Sequence, residues 1–308
     1  MTGPEHFRSK SLKIGDIEVA NRVILAPMSG VTDAPFRRLT AALGAGLVVS
    51  EMTASNDLVN GRPMSRLRCE ATGIGPHVVQ LAGCETGWMA EGARIAEAAG
   101  AEIVDINMGC PARHVTGGQS GSALMRDLDH ALRLIEATIS AVKVPVTLKM
   151  RLGWDDRSLN APELARRAEA AGVQMISVHG RTRCQFYKGD ADWSAVRAVR
   201  DAVRIPLVVN GDITSFDKAV SALEMSGADA VMIGRGAQGQ PWFPVRSDAA
   251  STPASSKLRH RLPSSSGISA RSMTKFAVIM DCASAFATRA NIWAGRLRSR
   301  LNAAARPP

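Results

Sequence analysis

Residues 103–111 read IVDINMGCP, an apolar run that ends in polar and turn-forming residues. An unbroken run rich in β-branched residues is typical of a strand that is buried on both faces of a parallel sheet. Seven further runs of this kind begin near positions 23, 47, 77, 144, 175, 205 and 230. The repeat predicts eight parallel strands.

Segments with helical periodicity separate the apolar runs. The pattern predicts helices over 88–99, 129–142, 162–171, 193–203 and 216–225, and Gly172 is placed to end the third. Eight strands, each followed by a helix or loop, over about 225 residues have the count and size of a (β/α)8 TIM barrel, an α/β fold. An open doubly wound sheet is the alternative, but no GxGxxG motif follows the first strand.

Polar or conformationally special residues stand at the carboxyl end of every predicted strand, where barrel enzymes carry their chemistry. We therefore expect these segments to converge on one mouth. In chain order they are Ala26-Pro27-Met28-Ser29, Ser50-Glu51-Met52, Gln80, Asp105-Ile106-Asn107-Met108-Gly109-Cys110-Pro111, Lys149-Met150-Arg151, His179-Gly180-Arg181, Asn210-Gly211-Asp212 and Gly234-Arg235-Gly236.

The last two strand ends predict a phosphate site. Barrels commonly bind phosphate with the loops after strands seven and eight. Glycines such as Gly211 and Gly234 allow backbone N–H groups to approach an anion, and Arg235 adds a charged donor. Either loop alone is equally compatible with a tight turn. Together, at these two strands, they favour a phosphate-bearing cofactor.

Three further strand-end residues are candidates for chemistry. Lys149 ends an apolar strand, where an unpaired buried cation is costly, so we expect it to stabilise an anionic cofactor ring or a developing charge. His179 has a ring donor for a phosphate or carbonyl, or is simply a hydrogen-bonded histidine of the rim. Cys110 could act as a nucleophile or as a proton donor, and the residue type leaves both open.

The positive charge is concentrated at one end of the chain. The formal net charge is +10, from 38 Lys and Arg against 28 Asp and Glu, which suggests a polyanionic partner. Residues 246–308 hold 11 of the basic residues and two acids, and residues 1–245 are nearly neutral at +1. We therefore divide the chain into a catalytic barrel, 1–245, and a basic tail rich in Ser, Ala and Arg, 246–308.

Cysteine usage and hydropathy indicate the compartment. The five cysteines are scattered and form no CxxC pair, which argues against a disulfide framework and against a structural metal site. The apolar runs are too short for a membrane helix, and the polar N-terminus does not resemble a signal peptide. We expect a cytoplasmic protein with no metal.

Assembled in order, the motifs resemble those of the tRNA-dihydrouridine synthases, in particular the bacterial branch once named nitrogen-regulation-like proteins. The most specific piece is DINMGCP, 105–111, and the resemblance extends over about residues 12–243. The other matching segments are APMSGVTD at 26–33, SEM at 50–52, TLKMR at 147–151, HGRTR at 179–183, NGDI at 210–213 and MIGRGAQG at 232–239.

The resemblance implies an FMN-dependent enzyme and assigns residues to its parts. Most of them would contact the cofactor: Pro27, Met28 and Ser29 at the flavin face, Gln80 and Lys149 at the ring edge, His179 as a further contact, and Asn210, Gly211, Asp212, Gly234 and Arg235 at the phosphate end. Asn107 and Arg181 would face the uracil, with Arg183 and Tyr187 nearby. Cys110 would be the general acid.

The implied reaction is the reduction of a uridine in tRNA to 5,6-dihydrouridine by a monomeric enzyme. NADPH would reduce FMN, the flavin would pass hydride to C6 of the uracil, and Cys110 would give a proton to C5. One alternative is an FMN barrel that acts on a free pyrimidine, as a dihydroorotate dehydrogenase does. Another is a non-catalytic RNA-binding or regulatory protein on the same scaffold.

The tail departs from the family pattern after Pro241-Trp242-Phe243. The resembling proteins carry an eighth helix and a small helical tRNA-binding domain there. We hypothesise that the residues after about Val245 are a frameshift product, and the rival hypothesis is a divergent RNA-binding tail. Resequencing the codons for residues 240–250 would decide between the two.

Overall fold

The structure, a computed structural model, describes residues 12–117, 119–241 and 243. An antiparallel hairpin of β1 (Leu12–Ile14) and β2 (Ile17–Val19) precedes the barrel. Its apolar side chains share one buried cluster with the first residues of several later strands, such as Ile103 and Ala230. The hairpin therefore covers the amino-terminal end of the barrel and leaves the carboxyl ends of the strands to the functional site.

The remaining strands form one parallel sheet that closes on itself. They are β3 (Val23–Leu25), β4 (Leu47–Val48), β5 (Thr53–Ala54), β6 (Val78–Ala82), β7 (Ile103–Met108), β8 (Val146–Arg151), β9 (Met175–His179), β10 (Leu207–Asn210) and β11 (Ala230–Ile233). The order is β4-β3-β11-β10-β9-β8-β7-β6-β5, and a parallel bridge between Val49 and Val78 closes the ring. The predicted TIM barrel is confirmed, with its second strand divided into β4 and β5.

Nine α-helices lie among the described residues. They are α1 (Ala34–Ala42), α2 (Ser55–Val59), α3 (Pro63–Cys69), α4 (Thr86–Ala98), α5 (Arg113–Thr116), α6 (Leu128–Ala141), α7 (Ala161–Ala171), α8 (Arg197–Ala202) and α9 (Phe216–Ser226). The side chains of Asp33, Asp127 and Ser215 cap α1, α6 and α9 by accepting from the N–H three residues on. Gly172 ends α7 in the left-handed region, as predicted.

Four of the five predicted helices agree with the structure to within two residues at each end. The prediction for 193–203 is too long, because only Arg197–Ala202 is α-helical. The residues just before Arg197 make contacts at the mouth of the barrel instead of extending the helix. The indole N–H of Trp193 donates to the carbonyl of Gly211 at 2.9 Å, and the Asp192 carboxylate accepts from Ala195 N–H.

The tail lies outside this description. The boundary predicted near Val245, and everything predicted for residues 246–308, falls beyond the described residues. Within the described part, no helix is long and apolar enough to cross a bilayer.

Candidate active site

A cavity of about 720 Å³ opens at the carboxyl ends of the barrel strands. Thirteen of the fourteen predicted site residues line it, so residues far apart in the sequence meet as expected. They are Pro27, Met28, Ser29, Gln80, Asn107, Cys110, Lys149, His179, Asn210, Gly211, Asp212, Gly234 and Arg235.

Arg181 is the predicted site residue that does not line the cavity. Its side chain is 2% exposed and makes two hydrogen bonds to the Asp212 carboxylate, at 3.0 and 2.5 Å. Its remaining donors reach the carbonyls of Lys188 and Gly189. The contact with a substrate base predicted for Arg181 therefore has no support in this geometry, because its guanidinium donors are used within the protein.

Asp212 organises the loop after β10. Besides Arg181, its carboxylate accepts from the Ala191 N–H at 2.9 Å and from Arg235 at 3.1 Å. Burial alone would raise the pKa of this carboxyl group, but the hydrogen bonds from Arg181 and Ala191 and the two arginine charges lower it. The carboxylate thus holds Arg235 at the cavity rim.

Gly211 is required by the shape of this loop. Its φ is +119°, and a Cβ atom there would lie 2.7 Å from Cβ of Ala191 and 3.0 Å from the ring of His179. Any side chain would therefore push the His179 ring out of place.

His179 is a neutral imidazole in this setting. Burial, followed by the charges of Lys149, Arg151, Arg181 and Arg235, holds its pKa well below the usual value. Because Arg181 can only donate, the contact of 3.3 Å between its guanidinium and Nε2 makes that nitrogen the acceptor. The ring proton therefore sits on Nδ1, where it remains available as a donor.

A chain of buried side-chain hydrogen bonds runs beneath the cavity. Asp105 accepts from Thr147 Oγ1 and from Gln80 Nε2, both at 2.6 Å. Gln80 Oε1 accepts from Asn107 Nδ2 at 2.8 Å. Asn107 Oδ1 in turn accepts from the N–H groups of Gly109 and Cys110, at 3.1 and 2.9 Å. The chain links the carboxylate of Asp105 to the backbone of the loop that carries Cys110.

This chain fixes the orientation of both amides. The backbone N–H groups can only donate, so Asn107 must present its oxygen to them and its nitrogen to Gln80. Gln80 then presents its nitrogen to Asp105. Each amide keeps one N–H group that is not used in the chain. Since Gln80 and Asn107 both line the cavity, its floor offers hydrogen-bond donors to a ligand.

Lys149 adds a third donor to this floor. Its side chain is buried, and its ammonium donates to Asn210 Oδ1 at 3.3 Å, while Asn210 Nδ2 donates to the carbonyl of Met232. Burial and the nearby Arg151 charge lower the pKa of Lys149 to about 8, against the opposing effect of Asp105. A buried ammonium with a single protein acceptor suits an anionic ligand.

Cys110 stands at the cavity wall with its backbone firmly held. Its N–H donates to Asn107, and its carbonyl accepts from the hydroxyl and the N–H of Ser122, at 2.8 and 3.1 Å. Gly121 packs closely behind it, because a Cβ atom there would lie 2.8 Å from the Cys110 carbonyl and 3.3 Å from its Cβ. The thiol is partly exposed and directed by a rigid turn.

Arg151, which was given no role, and Tyr187, which was expected near the uracil, also line the cavity. Arg151 is fully buried and donates to the carbonyls of Gly109, Thr182 and Phe186 at 2.8 to 2.9 Å, and its guanidinium lies 5.6 Å from the ring of Tyr187. Tyr187 is about half exposed at the mouth. The strand pattern could have identified Arg151. Residues two apart on a strand face the same side, so Arg151 shares a face with Lys149.

Replacing Asp105 with leucine tests the buried chain. The change leaves the donors of Gln80 and Thr147 without an acceptor, and each such loss costs about 1–3 kcal/mol. We expect Asp105→Leu to lower the free energy of unfolding by about 2–4 kcal/mol in denaturant titrations. The double variant Asp105→Leu/Thr147→Val should lose less stability than the sum of the losses in the two single variants, because it no longer carries the Thr147 donor that Asp105→Leu leaves without an acceptor. Strict additivity would contradict the proposed geometry.

A closed barrel that gathers a thiol, a buried ammonium and glycine loops at the carboxyl ends of its strands has the architecture of a TIM-barrel enzyme. Solved structures agree on the fold. Histamine dehydrogenase from Rhizobium sp. 4-9 superposes over 79% of this chain with a TM-score of 0.58, and a 2-naphthoyl-CoA reductase does so with 0.61. Both are 15% identical to this chain, which spans about half of their length (48% and 52%), so the likeness concerns the fold alone.

More particularly, the chain belongs to the dihydrouridine synthase (Dus) family, whose model matches residues 24–273. A probable tRNA-dihydrouridine synthase of Rhizobium leguminosarum bv. phaseoli is 64% identical over 226 residues, which are 73% of this chain and 71% of that protein. One from Rickettsia conorii is 56% identical over 75% of this chain and 71% of its own length. The tRNA-dihydrouridine synthase B of Serratia marcescens is 48% identical over 75% and 70%.

Proposed function

We propose that this protein is an FMN-dependent tRNA-dihydrouridine synthase, which reduces a uridine of tRNA to 5,6-dihydrouridine with NADPH as the reductant. The observation that carries the proposal is one cavity that joins the Cys110 thiol to the donors of Lys149, Gln80 and Asn107. The family and the names of its relatives support the same reaction.

The residues present fit FMN. Lys149 is a buried cation with one protein acceptor, which suits the edge of a flavin ring that becomes anionic on reduction. Gly211 and Gly234 also line the cavity, and Arg235 stands at the rim. Glycines beside an arginine are a common phosphate-binding set. The volume of about 720 Å³ is within the range of cofactor sites.

A bound FMN, reduced by NADPH, would supply a hydride to C6 of the uracil. A hydride carries two electrons and one proton, so one further proton must reach C5 to complete the reduction of the C5–C6 bond. We assign this transfer to Cys110, which lines the cavity and is partly exposed, so its sulfur can recover a proton from water after the transfer. Cys110 is therefore the proposed catalytic residue.

The donors of the cavity floor suit the uracil carbonyls. Asn107 keeps one N–H that its bonds to Gln80 and the Cys110 loop do not use, and it lies in the same segment as Cys110. An oxygen of the base that accepts from this N–H would lie close to the thiol. The target base must leave its stack to reach the cavity, which costs a few kcal/mol.

The test is to incubate the purified protein with NADPH and unmodified tRNA, then map dihydrouridine by mass spectrometry. We expect bound FMN, oxidation of NADPH and one dihydrouridine for each NADPH consumed. Free uracil, uridine and orotate serve as competing substrates. Reduction of a free pyrimidine but not of tRNA, or purified protein that binds no FMN, would refute the proposal.

A further inference from the structure

Two arginines and one tryptophan form a stacked cluster beside the cavity mouth. The guanidinium carbons of Arg126 and Arg183 lie 4.9 and 4.7 Å from the ring centroid of Trp154. We call these three residues the Arg–Trp–Arg stack. Contact with an aromatic face holds a guanidinium in place without neutralising its charge.

The charges of this stack have no carboxylate partner among the described residues: neither Arg126 nor Arg183 is part of an ion pair there. Two acids that neighbour the stack in sequence accept hydrogen bonds from other groups. Asp127 caps α6, and Asp155 accepts from the N–H of Arg157 and the hydroxyl of Ser158. Nε of Arg183 is buried without a hydrogen-bond partner.

The opposite side of the rim is different. There, Arg235 and Arg181 both pair with the carboxylate of Asp212. The two arginines of the stack therefore have no ion-pair partner within the described ranges, whereas the two arginines on the Asp212 side share one carboxylate. This asymmetry points to an anion outside the cofactor pocket.

The stack is tied directly to the reacting side of the cavity. Arg183 Nη2 reaches Thr116 Oγ1 at 3.4 Å, in α5, which follows the Cys110 turn. His114 of the same helix lines the cavity and is exposed. The N–H groups of Arg183 and Cys184 also donate to the carbonyls of Gly153 and Trp154. The stack therefore contacts the helix that follows the Cys110 turn and contributes His114 to the cavity lining.

We propose that the Arg–Trp–Arg stack binds a phosphodiester group of the RNA strand that carries the reactive uridine. A base inserted in the cavity leaves its flanking phosphates at the rim, and the planar fork of arginine matches phosphate oxygens. The inference rests on the proposed function for the identity of the polymer. It adds a surface of the barrel itself, independent of residues 246–308, that positions the RNA backbone.

The test compares two double variants with equal charge change. Arg126→Gln/Arg183→Gln removes the stack's charges, and Arg166→Gln/Arg204→Gln removes two exposed charges elsewhere on the barrel. We expect the first to weaken binding of unmodified tRNA at least tenfold. It should also reduce the slope of log affinity against log salt by about one to two. The control should retain both values, and FMN content and NADPH oxidation should stay normal in both variants.

A single variant keeps the test decisive if the double variant misfolds. Arg126 is exposed, so Arg126→Gln should fold normally and show a smaller loss of tRNA affinity, with a raised KM and little change in kcat. An unchanged salt slope in the folded double variant would overturn this inference while leaving tRNA reduction by the wild type intact. Failure of the wild type to reduce tRNA would instead refute the proposed function, and the binding measurements would still decide the role of the stack.

Discussion

Cys110→Ala is expected to abolish reduction of uridine in tRNA while FMN binding and NADPH oxidation by the bound flavin persist. The substitution removes the only atom of residue 110 that can give a proton to C5. General acids contribute about 10²–10⁴-fold to rates, so we expect the single-turnover rate of dihydrouridine formation to fall by at least about 10²-fold.

The structure explains why this variant should remain intact elsewhere. Residue 110 is held by its backbone, through Asn107 and Ser122, and alanine retains both contacts. Asn107, Gln80 and Lys149 therefore keep their positions. A structural role for Cys110 would lower FMN affinity together with turnover, whereas a proton-donor role would separate the two readouts.

The control for this experiment is Cys184→Ala, the same substitution at an exposed free cysteine. It should reduce tRNA at the wild-type rate. Dihydrouridine formed at a normal rate by Cys110→Ala would refute the assignment of Cys110 as the general acid.

The barrel was predictable because its signals are local. Each strand is a run of buried apolar residues, and the strand ends are marked by a change to polar residues, so eight runs identify the fold and its functional end. The side-chain alternation within a strand also pairs Asp105 with Asn107 and Lys149 with Arg151 on shared faces. Thirteen predicted residues therefore meet in one cavity.

The partners of individual side chains were not predictable in the same way. Arg181 and Asp212 were assigned to different ligands, but they bind each other across 31 positions of sequence. Trp193 begins a segment with helical periodicity, and yet its indole N–H donates a hydrogen bond to the carbonyl of Gly211. Such contacts depend on how loops cross the mouth of the barrel, and no local pattern encodes that.

The second large effect is expected at Lys149. Replacing it with methionine removes a buried cation that lines the cavity, a loss that we expect to weaken FMN binding by about 10- to 100-fold, since charge-assisted hydrogen bonds contribute about 1.5–3 kcal/mol. Lys218→Met, on the exposed face of α9, is the matched control and should bind FMN normally.

The pKa of Lys149 determines the direction in which pH changes the affinity for FMN. The pKa of Lys149 is lowered to about 8, so the ammonium is present below pH 8 and is lost as the pH rises through that value. FMN affinity should therefore fall above about pH 8 in the wild type and stay flat in Lys149→Met. The groups that act on Lys149 are Arg151, Asp105 and Cys110. Fluorescence quenching by the protein is therefore measured in the Cys110→Ala background, which removes the thiol that interacts with Lys149.

The pH profile separates a charge contact from simple packing. His179, whose pKa lies well below 6.5, stays neutral between pH 7 and 9.5 and adds no step there. Methionine fills nearly the same volume as lysine without its charge. If the cation holds the flavin, the Cys110→Ala/Lys149→Met variant should match the high-pH affinity of Cys110→Ala at every pH. A wild-type-like step near pH 8 in that double variant would place the titrating group elsewhere and refute the role of Lys149.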